Sequence, residues 1–351
     1  MDDTTFRVLD TLSRSLGRTF SINELTKEMV EEHGTAYYAN IYGKLHAMSE
    51  EDLIKLTKVG RASVVALNFD SYALIDLLAE VELRRKRSLL RDRTELQALF
   101  ADAEIHCRDL ASSMIAVRPE SNIKLNRAEL LLLLHGSGED IDARKGAMGV
   151  VTVVQKLQGT HSLKIDSLAL SRGEFSHLLR SEERNPLKEM LSDKIAFFSP
   201  QAFWMEVRDV QEGGRVAFER EETNPAKIAE QDITYNLARF GYREFGPEVR
   251  QGRKICVEYI VTSILLGGDM RRVEAVPVIL AKSKFNHGIL AFLAQKYRVS
   301  ERLLGLLRVL ERVKPTDEAE AAIKILESFR VEEIKADEDS IRKKMVLYNA
   351  T

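Results

Sequence analysis

SINELTKEMVEEHGTAYYANIYGKLHAM, residues 21–48, is the stretch on which the reading of this chain turns. Ser21 is a good N-cap, and Glu24 three residues later completes a capping box, so a helix is expected to start there. Gly34 ends it, and Thr35 is placed to cap a third helix, AYYANIYGKLHAM. Upstream, Phe6, Val8, Leu9, Leu12 and Leu16 recur at helical spacing until Gly17. Downstream, LIKLTKV and SVVALNF are β-rich runs separated by Gly60, Arg61 and Ala62, which reads as a hairpin.

Helix, helix, helix, hairpin within about 70 residues is the order of a winged helix-turn-helix, and that domain is expected over residues 1–75. Its third helix is the candidate recognition helix. Thr35, Tyr37, Tyr38, Asn40, Lys44 and His46 offer hydroxyl, amide and ammonium groups to base edges and phosphates of double-stranded DNA. Lys58 and Arg61 fall at the wing, where phosphate contact is expected. Two features pull the other way. Residues 1–70 carry eight basic against eleven acidic residues, a net −3 that opposes phosphate neutralisation. Tyr38, Ile41, Tyr42 and Leu45 also share helical spacing, so some of these aromatics belong to the core. A protein-binding role for the same domain stays open.

From Asp70 to Asp109 there is no proline or glycine, and the pattern is helical throughout, as one helix or as two broken near Arg93 and Thr94. Residues 76–112 therefore read as a linker helix and a surface for a homodimer. Arg84, Arg85, Lys86, Arg87, Arg91 and Arg93 wrap around it, either as a phosphate-binding stripe or as a solvated face laced with ion pairs.

Strand patterns follow at SSMIAVRP, at AELLLLL (residues 128–134) and at LKIDSLAL, with a loop at HGSGED and a helix over 141–157. This α/β segment, residues 113–212, resembles the nucleotidyltransferase superfamily of archaeal and bacterial proteins. The resemblance implies two acidic residues, one apart, on the second strand and another on the third, holding divalent metal such as Mg for nucleotidyl transfer. Glu129 matches the second acidic position and Asp166 the third, whereas Arg127 occupies the first. No Gly-Ser loop follows MIAVRP. SRGEFSHLLRSEERNPLKEML and IAFFSPQAFW resemble the helix and closing strand of that family. The departures imply a degenerate domain, and an ion-paired structural role for Glu129 and Asp166 is the competing reading. QEGGRVAFEREETNPAK reads as the next boundary, and residues 224–351 as a helical domain with a kink at Pro277 and a charged tail. Arg271 and Arg272 suit either an anion or surface ion pairs, and His287, with no ligand at metal spacing, reads as structural.

The expected fold class is thus mixed, mostly α with an α/β middle. Composition agrees with a globular chain of two or three domains: hydrophobic residues make up 44%, charged residues 30%, and the formal charge is −2. Cys107 and Cys256 are too few for a disulfide framework or a cysteine zinc site. Without a signal pattern or a long apolar run, a cytoplasmic protein that contacts no membrane is expected. The functional expectation is a prokaryotic, archaeal-type, DNA-binding transcriptional regulator that needs no cofactor. Its alternatives are a divergent metal-dependent nucleotidyltransferase, with a toxin–antitoxin or RNA-modifying role, and a protein-interaction scaffold.

Overall fold

The computed structural model describes residues 1–91, 93–136, 140–214, 216–243 and 249–351, with side chains described in these ranges except over 140–144. The loop expected at HGSGED falls largely on 137–139, outside the described residues. The fold is mostly helical with two small sheets and an α/β middle. The chain forms two compact units that interleave in sequence. Residues 1–133, 175–180 and 187–221 make the first, and residues 134–174, 181–186 and 222–351 make the second.

The first unit opens with α1 (Asp3–Arg14), β1 (Phe20–Ser21), α2 (Ile22–His33), α3 (Tyr38–Glu50), β2 (Ile54–Val59) and β3 (Ala62–Leu67). The capping box at α2 is realised, with Glu24 Oε2 accepting from the Ser21 backbone N–H at 2.8 Å. The three strands form an antiparallel sheet in the order β1-β3-β2, with Phe20 opposite Val65 and Lys58 opposite Ser63. Leu9, Phe20, Leu25, Leu45 and Val65 are buried beneath it. Thr35 does not cap α3. Tyr37 stands at the N-cap without a side-chain bond, because Thr35 lies two residues too early for its hydroxyl to reach the first turn. The Thr35 carbonyl instead accepts from Arg7 at 3.1 Å.

The proline-free stretch that follows is two helices, α4 (Tyr72–Leu90) and α5 (Thr94–Cys107). Then come β4 (Ala111–Val117), α6 (Pro119–Lys124), β5 (Arg127–Leu134), α7 (Asp140–His161), β6 (Lys164–Leu170), α8 (Arg172–Arg180), α9 (Pro186–Met190), β7 (Lys194–Phe198) and α10 (Pro200–Glu212). In the first unit the strands run β5-β4-β7, and β7 pairs antiparallel to β4 with a bulge between Met114 and Ile115. The leucine run of β5 is buried along its length, Leu132 being 1% exposed. α4 packs on α1, β7 and α10, so it is part of this unit's core and not a free connecting rod.

The segment after α10 returns to the first helices. The Phe218 N–H donates to the Leu16 carbonyl at 2.8 Å. Arg220 holds Glu28, Glu32 at 3.0 Å and the Ser15 hydroxyl. Gly17 permits this approach. Its φ is +84°, and a Cβ there would stand 2.5 Å from Ala217 Cα.

In the second unit β6 is flanked by α7 and by α15 (His287–Lys296), the latter following α11 (Glu230–Arg239), α12 (Val257–Gly267), α13 (Met270–Val273) and α14 (Val276–Lys282). Pro277 does not kink a helix. It sits in the first turn of α14, where a missing N–H costs nothing. Arg272 pairs with Glu230, while Arg271 is 89% exposed. α16 (Ser300–Val313), α17 (Asp317–Ser328) and α18 (Glu338–Leu347) follow. The last two replace the expected charged tail: Ala319, Ala322, Leu326, Ile341 and Met345 are buried, because sparse apolar residues at helical spacing suffice to dock a charged helix. Both cysteines are buried and free. Burial pushes the Cys107 thiol up to about 11 and the Cys256 thiol well above its ordinary value, so neither is primed as a nucleophile. Among the described residues no helix is long and apolar enough to cross a membrane.

Gly17 and Gly34 separate two costs of a side chain. Both have φ of +84°, but a Cβ on Gly34 would meet nothing within 4 Å, whereas one on Gly17 would meet backbone. Gly34→Ala is expected to cost about 1–2 kcal/mol from the left-handed backbone alone. Gly17→Ala adds steric overlap of about 1–3 kcal/mol. Urea unfolding of both variants checks this, and equal losses would mean that the 216–220 segment does not press on the α1–β1 turn.

Candidate nucleic-acid interface and a buried charge cluster

On α3, Ile41, Leu45 and Met48 are buried, and they anchor the helix on its module. The opposite side faces solvent. Tyr37 is 71% exposed, Tyr38 46% and Tyr42 44%, and Asn40 and His46 are exposed as well. The rings form a ladder four residues apart along the helix. Tyr38 and Tyr42 have centroids 6.0 Å apart, and Tyr42 and His46 4.5 Å apart. The expectation that some of these aromatics belong to the core is corrected: Ile41 and Leu45 go inward, and Tyr38 and Tyr42, one residue further round the helix, go outward.

Lys44 is the single Lys, Arg, Asp or Glu between Tyr38 and Met48, and it is engaged. Its Nζ lies 2.7 Å from Asp2 Oδ2. That hydrogen bond, with the Thr5 N–H, holds the Asp2 carboxyl well below the usual carboxylate range. On the hairpin, Lys58 and Arg61 are exposed and make no ion pair among the described residues, while Lys55 pairs with Asp70 at 2.6 Å. Of the residues expected at a DNA interface, Tyr37, Tyr38 and Asn40 are all exposed; Tyr37 and Asn40, three apart, share one side of the helix, and Tyr38 lies on the other with Tyr42 and His46. Lys58 and Arg61 stand at the hairpin, and Thr35 and Lys44 are tied to α1 and its cap.

The basic run on α4 is not one stripe. Arg87 and Arg91 are exposed, and Arg84 stacks over the Phe6 ring at 4.9 Å. Lys86 joins Glu104 at 2.6 Å and the Phe197 carbonyl at 2.8 Å. Arg85 is 6% exposed, beside Glu82 at 0%. Arg85 Nε donates to Asp10, its Nη1 to Glu82 Oε1 at 3.2 Å, and its Nη2 to the Asp10 carbonyl at 3.1 Å. Glu82 also pairs with Lys194 and accepts from the Ala196 N–H at 3.0 Å. Lys194 lies over two aromatic faces, 4.8 Å from the Phe203 centroid and 4.4 Å from that of Trp204. Two buried anions and two buried cations thus face one another, with Arg14 at the edge 3.5 Å from Asp10.

Burial alone raises the Asp10 carboxyl, but Arg85 and Arg14 overcome it and the net shift is downward. For Arg85, burial opposes the charge, and Asp10 and Glu82 more than offset that. Lys194 is pushed down to about 8 by burial, in spite of Glu82. Spacing alone did not reveal this cluster, though one signal was present: Glu82 and Arg85 fall in phase with the buried Leu74, Ile75, Leu78 and Leu89 of α4.

Asp10, Glu32 and His33 bring ligand atoms within 4.8 Å of one another, as a metal site would. Their surroundings argue against a cation. Arg85 and Arg14 face Asp10, and Arg220 and the Thr11 hydroxyl take up Glu32. A divalent ion would stand among three guanidinium groups. Burial pulls the His33 imidazole down, with Asp10 and Glu32 opposing, so the ring reads as a neutral lid on the cluster.

Glu129 and Asp166 are 2% and 1% exposed. Glu129 Oε2 accepts from Arg118 Nη2 at 3.1 Å, and its Oε1 pairs with Arg127 Nη2 at 3.0 Å, one arginine on each oxygen. Asp166 pairs with Lys164 at 3.2 Å. The two acids belong to different compact units. No protein-family model, no curated protein and no solved structure matches this chain.

The charge cluster gives two measurable consequences. Arg85→Met leaves Glu82 to Lys194 and Asp10 to the half-buried Arg14, one buried counter-charge short, and is expected to cost about 3–5 kcal/mol in urea unfolding. Lys55→Met, at an exposed pair, should change stability by less than about 1 kcal/mol. The second concerns pH. Asp10 has a folded-state pKa below its ordinary 3.8. Its contribution is therefore full above the unfolded-state pKa and is lost as pH falls through the lower folded value. The unfolding midpoint of the wild type should drop from pH 5 downward more steeply than that of Asp10→Asn, and parallel curves would show that Asp10 gains nothing from its arginines.

Proposed function

We propose that this chain is a DNA-binding transcriptional regulator. Residues 1–75 act as a winged helix-turn-helix that engages double-stranded DNA, and the nucleotidyltransferase-like segment 113–212 and helical region 224–351 serve as a sensing or assembly platform. The observation that carries this reading is the division of labour on one small module. α3 turns the Tyr38–Tyr42–His46 ladder to solvent along one side and Asn40 along another, and the β2–β3 hairpin holds Lys58 and Arg61, which make no ion pair among the described residues. The first three helices and the sheet order β1-β3-β2 supply the frame that such a module needs.

A metal-dependent nucleotidyltransferase has less support. Its metal would have to displace an arginine from each oxygen of Glu129, and a guanidinium is no metal ligand. A protein scaffold is the reading to which a failed DNA experiment leads.

The test is an electrophoretic shift on genomic fragments, followed by salt titration on a selected site. Arg61→Ala should weaken specific and random DNA alike and reduce the salt slope by about 1. Asn40→Ala should cost about 1–3 kcal/mol on the specific site and much less on random DNA. Lys44→Ala, at a lysine already neutralised by Asp2, should leave the salt slope unchanged. Absence of any shift at low salt would sink the regulator reading.

A further inference from the structure

Between α7, α15 and α17 the packing of the second unit leaves a hollow. All three helices belong to this unit, where α7 and α15 flank β6 and α17 packs on both helices. The hollow measures about 330 Å³, a size that small-ligand sites take. Ala147, Ala321 and Ile325, all buried, line it together with Met148. A smaller space of about 20 Å³ adjoins it, sharing Ala147 and Ile325 and lined further by Val150, Val151, Phe292 and Phe329. The alanines at 147 and 321 make the room, since larger side chains there would occupy it. Walls of carbon favour an apolar body, which gains by leaving water.

The ionisable groups around the hollow supply the second half of the reading. Lys324 pairs with Glu320, one turn earlier on α17. Asp317 and His287 are engaged as well, and Asp317 stands in the first turn of α17, where the helix N-terminus favours an anion. Lys145 is exposed and makes no ion pair among the described residues. The uncompensated charge at the hollow is therefore positive. From a carbon-walled hollow beside one uncompensated ammonium, we infer that the second unit binds a small amphipathic carboxylate, with its apolar chain in the hollow and its head group on Lys145. A cationic head would be repelled by Lys145 and would find the acids already engaged. This gives the sensing role proposed above a ligand of stated chemistry, and the binding itself is a property of the second unit whether or not the first unit engages DNA.

Decanoate is the probe, titrated into the full chain by isothermal calorimetry. One molecule per chain should bind saturably. Decanol, which keeps the chain and removes the charge, should bind about threefold to fivefold more weakly. Lys145→Ala should bring decanoate down to the level of decanol and leave decanol unchanged. Ala321→Phe fills the hollow and should abolish binding with Tm kept, whereas Ala322→Phe, at a neighbouring position 0% exposed, should lower Tm by overpacking the core. A diazirine-bearing decanoate, activated by light on the wild type, tests the site even if Ala321→Phe does not fold, and its label is expected on peptides of α7, α15 and α17. Decyltrimethylammonium binding as tightly as decanoate overturns the carboxylate assignment. Binding that survives Ala321→Phe, labelling confined to other peptides, or no saturable binding at all overturns the site. None of these arms contains DNA, so a failure of the regulator reading is read separately.

Discussion

Arg85 is the side chain on which the first unit depends. It reaches from α4 to Asp10 on α1, shares Glu82 with Lys194 of β7, and does so with almost no solvent to screen it. Taking four charges out of water costs several kcal/mol for each ion. The cluster tolerates that cost because each buried charge meets a counter-charge, and because Glu82 also accepts a backbone N–H and Lys194 rests on two aromatic faces. Apolar surfaces tolerate sliding, whereas a buried charge must meet its counter-charge. The cluster therefore sets the register of α1 against α4 and of α4 against β7.

The consequence reaches α3. α1 belongs both to the small helical module and to the charge cluster, so the module is not hung on a flexible tether. The 216–220 segment closes the same turn from the other side, with Arg220 on Glu28 and Glu32 and the backbone of residue 217 against Gly17. Asp2, which caps α1, also takes up Lys44. The cap of one short helix thereby ties α3 to α1 and takes up its only lysine. What is left outward on α3 between Tyr38 and Met48 is uncharged.

The buried Glu129 follows the same logic. Arg127, two residues earlier on the same strand, and Arg118 take the two oxygens of Glu129. Residues two apart on a strand share a face, so Arg127 and Glu129 form an ion pair that leaves the carboxylate without need of a further cation.

Local order was legible in the sequence. The capping box of Ser21 and Glu24, the hairpin around Gly60 and the buried leucines of β5 all follow from spacings of a few residues, because helix and strand geometry repeat over three, four or two positions; between one long helix and two broken near Arg93 and Thr94 the spacing did not choose. The tertiary structure alone decided what the charged residues do. Arg85 meets Asp10 across 75 positions and Glu82 meets Lys194 across 112. No periodic pattern encodes those separations. A run of basic residues on a helix reads the same whether its members face phosphate, solvent or a buried carboxylate, and only the folded chain brings the counter-charges close enough to choose.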